Sequence, residues 1–244
     1  MNPIVLIPAR MAATRLPDKP LADIGGEPLI VRVLRQAEAA GIGPAAVAAG
    51  DQVIVDAVEK AGGRAILTDP ALPSGSDRIL AALNALDPDR RHDAVINLQG
   101  DIPFAEPSLV RLCAGLLENQ PACDISTIVV ETSDPDETRN PDVVKAILSF
   151  GDDPAAGRAL YFTRSTLHGD GPVWHHLGIY GYRRAALERF TAAQPSPLER
   201  REKLEQLRAL ELGLSIWAAV ADSAPIEVNS PEDLALARAH AEAL

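Results

Sequence analysis

The segment Ile4-Val5-Leu6-Ile7-Pro8-Ala9-Arg10, running on to Arg15-Leu16-Pro17-Asp18-Lys19-Pro20, decides the fold. Its four leading apolar residues have the character of a buried strand. Pro8 is expected to break that strand into a loop carrying Arg10, Arg15 and Lys19, stiffened at its far end by Pro17 and Pro20. In an α/β sheet, ligands sit beyond the carboxyl ends of the strands. Cations and backbone N–H groups there meet phosphate oxygens, Arg as a planar fork and Lys as a point charge. The same spacing also suits an ordinary solvated basic loop.

Outward from this segment, short apolar strands alternate with helices. Strands are expected at Ile4–Ile7, Ala45–Ala49, Ala65–Leu67 and Ala94–Leu98. Helices are expected at Pro28–Ala40, Gln52–Ala61, Gly75–Ala85 and Pro107–Asn119. That alternation implies an α/β domain with a mainly parallel mixed sheet covered on both faces, in three layers. The second half is less regular. Strands are expected at Ile125–Val130, Val143–Leu148 and Ser215–Val220, with strand character at Gly178–Tyr182 and helices at Pro197–Leu212 and Pro231–Leu244. One domain over 1–244 is expected, with residues 140–196 as an excursion that covers a site or makes a dimer contact.

The 244 residues are 47% hydrophobic, ample for a core, and carry a net charge of −11. Such acidity disfavours a broad nucleic-acid face but leaves room for one focused anion site. Cys113 and Cys123 have no metal-binding or disulfide-framework spacing and suit small apolar fillers. No apolar run is long enough to span a bilayer and no leader pattern precedes the first strand, so a cytoplasmic protein without a membrane partner is expected.

Two further segments carry chemistry. Val95-Ile96-Asn97-Leu98-Gln99-Gly100-Asp101 ends an apolar strand in a glycine and then a carboxylate. A strand-end Asp opposite a loop of Arg and Lys is a minimal arrangement for metal-assisted nucleotidyl or phosphoryl transfer, since Mg²⁺ takes hard oxygens. Asp101 serves equally as a turn residue. Pro73-Ser74-Gly75-Ser76-Asp77-Arg78 opens a helix with a hydroxyl and a close backbone approach, and is also a good helix cap in its own right.

Together with His176-Leu177-Gly178-Ile179-Tyr180-Gly181-Tyr182, Pro195-Ser196-Pro197-Leu198-Glu199 and Glu205-Gln206-Leu207-Arg208, these segments resemble the 3-deoxy-manno-octulosonate cytidylyltransferases, the CMP-Kdo synthetases of lipopolysaccharide assembly. The resemblance runs in order along essentially the whole chain. It implies a Rossmann-like nucleotide-diphospho-sugar transferase fold and the reaction of CTP with Kdo, with Mg²⁺ as cofactor, in a homodimer. It implies nucleotide contacts from Ala9, Arg10, Arg15, Lys19, Ser74, Gly75, Arg78 and Gln99, with Arg10, Lys19 and Asp101 catalytic. Arg164, His176, Tyr180, Glu205 and Gln206 would face the sugar, and Asp101 and Asn229 the metal.

The chain departs from that pattern twice. The family's Val-Asp-Thr-Pro-Glu-Asp is Val228-Asn229-Ser230-Pro231-Glu232-Asp233 here, so the second metal carboxylate is a neutral amide unless Glu227 or Asp233 compensates. The family's Ala-Thr-Asp is Ala48-Ala49-Gly50, followed by Asp51. An enzyme that needs more Mg²⁺ than a two-aspartate relative is expected, with Asn229→Asp lowering the requirement. Competing expectations are a relative acting on sialic acid or an amino-Kdo, a non-catalytic nucleotide-sugar binder favoured by Asn229, and a purely structural α/β domain.

Overall fold

A computed structural model describes residues 1–12, 16–167 and 171–243. In chain order it begins with β1 (Pro3–Ala9), a 3-10 turn (Lys19–Leu21), β2 (Asp23–Ile24), β3 (Glu27–Pro28), α1 (Leu29–Ala39), β4 (Ala45–Ala49) and α2 (Gln52–Lys60). Then come β5 (Ala65–Leu67), α3 (Gly75–Leu86), β6 (Ala94–Asn97), α4 (Pro107–Asn119), β7 (Ile125–Thr132), α5 (Pro135–Arg139) and β8 (Lys145–Phe150). The chain continues through β9 (Ala156–Thr163), β10 (Val173–Arg183), α6 (Arg184–Ala192), α7 (Pro197–Glu202), α8 (Gln206–Glu211), β11 (Ile216–Ala221) and α9 (Pro231–Glu242). It divides into two compact units, Met1–Arg111 with Pro225–Leu244, and Leu112–Ala224. The stretch 140–196, taken from sequence as an excursion, lies wholly inside the second.

In the first unit four strands run in the order β5-β4-β1-β6, every pair parallel. Their apolar runs are buried on both faces, with Val5, Leu6, Ile7, Val95 and Ile96 fully enclosed. Leu29, Ile30, Val33 and Leu34 of α1 and Ile79, Ala82 and Leu83 of α3 are buried as well, at the spacing of one helix face. Each buried Leu, Ile or Val side chain among them contributes about 1.5–3 kcal/mol relative to exposure.

Pro8 does not break the strand; β1 runs through it to Ala9. The reason is the ladder. Leu6 accepts from Leu98 and so faces β6, and Pro8, two residues on, points the same way. Pairing with β6 stops at Leu6, so no bond awaits the N–H that Pro8 lacks. The other edge continues, Pro8 standing opposite Ala48 and Ala9 opposite Ala49.

The second unit corrects the expectation of a mainly parallel sheet. Its strand order is β10-β7-β11-β9-β8, and only β7–β11 is parallel. β8 also pairs back onto β10 at Trp174 and His175, so the order closes on itself. The expected single helix Pro197–Leu212 is two, because Lys203 adopts φ 56° and turns the chain between α7 and α8. β9 and α6 were not legible in the sequence. Cys113 and Cys123 are buried free thiols, both pushed up to about 12 by burial. No helix among the described residues is long and apolar enough to cross a membrane.

Candidate active site

Beyond the carboxyl ends of β1 and β6, one open pocket is lined by Pro8, Ala9, Arg10, Leu72, Ser74, Gly75, Arg78 and Gln99. Six of these are residues singled out from the sequence, brought together from three separate segments. Gly75 packs closely on β1, since a Cβ there would make a tight 3.3 Å contact with Pro8 Cγ. Ser74 caps α3, its Oγ accepting from the Asp77 N–H at 3.1 Å while donating to the Asp77 carboxylate at 2.7 Å. Gln99 donates to Asn97 Oδ1 at 3.3 Å, which orients its amide.

Arg78 is almost completely buried. Its Nη1 donates to Thr68 Oγ1 at 2.6 Å and to the Asp69 carbonyl at 3.2 Å, while the buried Nη2 has no hydrogen-bond partner. Burial, and secondly the neighbouring Arg10, push its pKa down, opposed by Asp51 and Asp69. A buried guanidinium N–H without an acceptor is costly, and it points to a ligand that supplies one. Gly50 belongs to the same fit, because a Cβ there would stand 2.8 Å from Arg78 Nη1.

A second cluster lies nearby in the same unit. Lys19 Nζ donates to Asp101 Oδ2 and to Asn229 Oδ1, at 3.0 Å each. Val228 N–H bonds the Asp101 carbonyl at 2.9 Å and fastens the segment before α9 to the loop after β6. Asn229 Nδ2 donates to Glu227 Oε2 at 3.3 Å. Burial and, next, the Asp101 carboxylate push Glu227 up to about 7. Asp233 takes no part at the cation; its carboxylate accepts the N–H groups of Asn229 and Ser230 in a capping box. Two hard oxygens thus converge on one cation position, which the Lys19 ammonium fills here. That donor set fits Mg²⁺, which takes one or two protein oxygens together with substrate phosphates. No three His, Cys, Asp or Glu groups among the described residues form a metal cage by themselves.

The residues assigned to the sugar all lie in the second unit. Arg164 Nη1 reaches the Pro141 and Asp142 carbonyls at 3.0 and 3.4 Å. Lys145, fully buried where β8 meets β10, donates to the carbonyls of Asn140 and of Arg164 itself, at 2.6 and 3.3 Å. Sequence reasoning missed this lysine, and its polar residue inside a strand pattern was the available signal. His176 is 7% exposed, and its Nε2 lies 2.9 Å from Thr127 Oγ1. The Thr127 hydroxyl already donates to the Ile179 carbonyl at 2.7 Å, so His176 must carry its proton on Nε2. Burial, with His175 adding, lowers its pKa to about 3, and the ring is neutral.

Gly178, at φ 70°, marks a register shift between His176 and Tyr180 and sets their rings 5.2 Å apart. Glu205 and Gln206 open α8, with Gln206 buried against the core. Glu202, which the sequence did not single out, accepts from Tyr161 Oη and Thr163 Oγ1, both at 3.3 Å. Arg15 falls outside the described residues.

The comparisons with known proteins agree with this geometry. A family model described as cytidylyltransferase matches residues 4–216. The 3-deoxy-manno-octulosonate cytidylyltransferase of Rhodospirillum centenum is 54% identical over 239 residues, 98% of this chain and 93% of that protein. Its namesake from Parvibaculum lavamentivorans is 55% identical, covering 98% and 92%. The chain belongs to the 3-deoxy-manno-octulosonate cytidylyltransferase family.

A solved structure of CMP:2-keto-3-deoxy-manno-octonic acid synthetase complexed with CTP matches this cytidylyltransferase with a TM-score of 0.89, 33% identity and full coverage of both chains. The 4-diphosphocytidyl-2C-methyl-D-erythritol synthase of Anaerococcus prevotii, at 15% identity and a TM-score of 0.66 over 99% of this chain and 98% of that one, shares the fold alone. Within the cytidylyltransferase, the paired Gly50-Asp51 departure now has a structural outcome. Asp51 Oδ2 accepts the Met11 N–H at 2.7 Å, and Gly50 leaves room for Arg78.

Proposed function

We propose that this chain transfers CMP from CTP to 3-deoxy-manno-octulosonate, releasing pyrophosphate and forming CMP-Kdo for lipopolysaccharide biosynthesis. The observation that carries this reading is the pocket that gathers Ala9, Arg10, Ser74, Gly75, Arg78 and Gln99 around an unpaired guanidinium N–H. Arg78 Nη2 and the Gln99 amide suit the acceptor and donor edge of cytosine. Ser74 and the N–H groups opening α3 add polar contacts on that side.

The sugar's anomeric oxygen attacks the α-phosphorus in line. One O–P bond forms, the bond to the bridging oxygen breaks, pyrophosphate leaves with the electron pair, and the hydroxyl proton passes to solvent. Catalysis of this kind is positioning and charge neutralisation. Arg10, Arg15 and Lys19 provide the cations for the triphosphate and for the departing pyrophosphate. Asp101 Oδ2 and Asn229 Oδ1 would hold Mg²⁺, which when bound polarises the phosphate and acidifies the attacking hydroxyl. Arg164 suits the Kdo carboxylate, with Tyr180 and Glu205 toward its hydroxyls. His176 and Gln206 are nearly enclosed and would meet the sugar only by an edge of each side chain.

The finer fold reading, three layers in a Rossmann-like nucleotide-diphospho-sugar transferase arrangement, is supported by the parallel β5-β4-β1-β6 order with buried helix faces. A cytoplasmic homodimer completes the proposal, its contact within residues 140–196, where Leu160 is 54% exposed. Sedimentation equilibrium giving a monomer would remove the dimer.

Pyrophosphate release from CTP, with Kdo, sialic acid or no sugar at varied Mg²⁺, tests the activity. Release that requires Kdo is the expected result. Release with sialic acid instead reassigns the sugar, and silence with every sugar acid in protein that binds CTP leaves a nucleotide-sugar binder.

A further inference from the structure

The geometry points to Glu227 as a positioning residue, one that turns the Asn229 amide so that its oxygen faces the cation position. This inference rests on the reading of Lys19, Asp101 and Asn229 as the cation cluster.

An asparagine amide offers an acceptor on one side and two donors on the other, and a flip exchanges them. Here the backbone on both sides of Asn229 is fastened. Val228 N–H is bonded to the Asp101 carbonyl at 2.9 Å, and Ser230 N–H to Asp233 Oδ2 at 2.8 Å. What remains to be decided is which end of the amide faces inward. Glu227 Oε2 takes the Nδ2 hydrogen at 3.3 Å, and Oδ1 is thereby turned to Lys19 Nζ at 3.0 Å. The flipped amide would set NH₂ against the ammonium and oxygen against the carboxylate, wrong on both sides. Residues 227 and 229 are two apart, the spacing that shares one face of an extended segment.

The chain therefore keeps a carboxyl group at this place but moves it behind the amide. Glu227 and Asn229 do as a pair what a single inward carboxylate does in the pattern this chain departs from. It follows that Asn229→Asp alone sets two carboxylates against each other and brings no gain. Asn229→Asp combined with Glu227→Gln restores the pair with its polarity reversed, the Gln amide donating to the inward carboxylate. The simple expectation from sequence, that Asn229→Asp lowers the Mg²⁺ requirement, is replaced by one in which position 227 decides the sign.

The test measures Mn²⁺ binding to protein saturated with CTP, from the free-ion electron paramagnetic resonance signal, with thermal melts as a folding control. In the parent, Glu227→Gln is expected to weaken Mn²⁺ about tenfold, the lower end for a group supporting a metal ligand. Asn229→Asp alone binds no more tightly than the parent. Added to Asn229→Asp, Glu227→Gln strengthens binding about tenfold, so the same substitution acts with opposite sign. Equal effects in the two backgrounds overturn the inference, because Glu227 then acts independently of residue 229. If Asp101→Asn leaves Mn²⁺ binding unchanged, the cation reading itself has failed and takes the inference with it. Should Glu227→Gln alone unfold the protein, the step from Asn229→Asp to the double variant still reads the coupling, and no gain there overturns it.

Discussion

Asp51 stands at the N-cap of α2 yet does not cap it; its Oδ2 accepts the backbone N–H of Met11 at 2.7 Å instead. The carboxylate ties down the chain one residue beyond Arg10, at the mouth of the nucleotide pocket. A hydrogen bond to a charged acceptor contributes about 1.5–3 kcal/mol. Asp51→Ala is therefore expected to raise the KM for CTP about tenfold, with kcat changing much less. The melting temperature should fall by a few degrees as well, since a charged hydrogen bond is lost although no helix cap is. A lower melting temperature with unchanged KM would return Asp51 to an ordinary capping role.

Gly100 is needed by its neighbour rather than by its own backbone angles. A Cβ there would lie 2.8 Å from the Pro8 carbonyl oxygen, a backbone atom that cannot swing aside. Gly100→Ala must displace either β1 or the loop carrying Asp101, and overpacking of this kind costs about 1–3 kcal/mol. The urea midpoint should fall and the Mg²⁺ requirement rise. Gly115→Ala is the control: it lies in α4 with nothing within 4 Å of its added Cβ, and should stabilise by about 0.5–1 kcal/mol. Equal midpoints for the two variants would refute the packing argument.

The first unit was largely legible because its signals are local. Apolar runs bounded by Gly-Gly turns locate strands and helices, and strand ends in a parallel sheet share one side. Hence the loops after β1 and β6 could be placed on a common side from the sequence pattern, while the assignment of Ala9, Ser74 and Gln99 to one nucleotide site came from the family resemblance. The extent of β1 was not legible, because Pro8 is tolerated only where β6 stops pairing, a property of another strand. The turn at Lys203 carries no glycine, so α7 and α8 merge in the sequence pattern. Glu227 was weighed only as a substitute ligand. That its carboxylate acts through the Asn229 amide depends on where Asp101 and Lys19 come to lie.

His176 gives the fold a pH dependence of definite sign. Its folded pKa is lowered to about 3, against about 6.5 in the unfolded chain, with burial the leading cause. Below about 6.5 the unfolded state takes up a proton that the folded state refuses. The contribution is therefore complete above about pH 6.5 and is lost as pH falls toward about 3. The slope it can add is at most about 1.4 kcal/mol per pH unit. Urea midpoints of His176→Gln should fall less steeply than those of the parent between pH 6.5 and 4. An unchanged slope would show that other groups govern acid unfolding.

Arg208, within the segment that narrows the family resemblance to Kdo, is a stability residue by its contacts. It is buried, forms a fork with Glu199 at 2.8 and 2.7 Å, and donates to the carbonyls of Phe190 and Ala193 at 3.2 Å each. Its guanidinium lies 4.6 Å over the Phe190 ring. Burial alone would raise the Glu199 pKa, but its hydrogen bonds to Arg208 and Ser196 hold it below the ordinary carboxylate value. Removing one partner of such a pair strands the other, at about 3–5 kcal/mol. Arg208→Ala should therefore lower the urea midpoint sharply, and Arg208→Lys should recover only part of it, because an ammonium cannot reproduce the fork. Glu205→Gln, three residues earlier and partly exposed, weakens only a longer 3.4 Å contact to Arg208 Nη2. It should therefore lower the midpoint far less than Arg208→Ala and raise the KM for Kdo. If instead Arg208→Ala keeps its stability and loses Kdo, the guanidinium faces the sugar, and the assignment of these two neighbours must be exchanged.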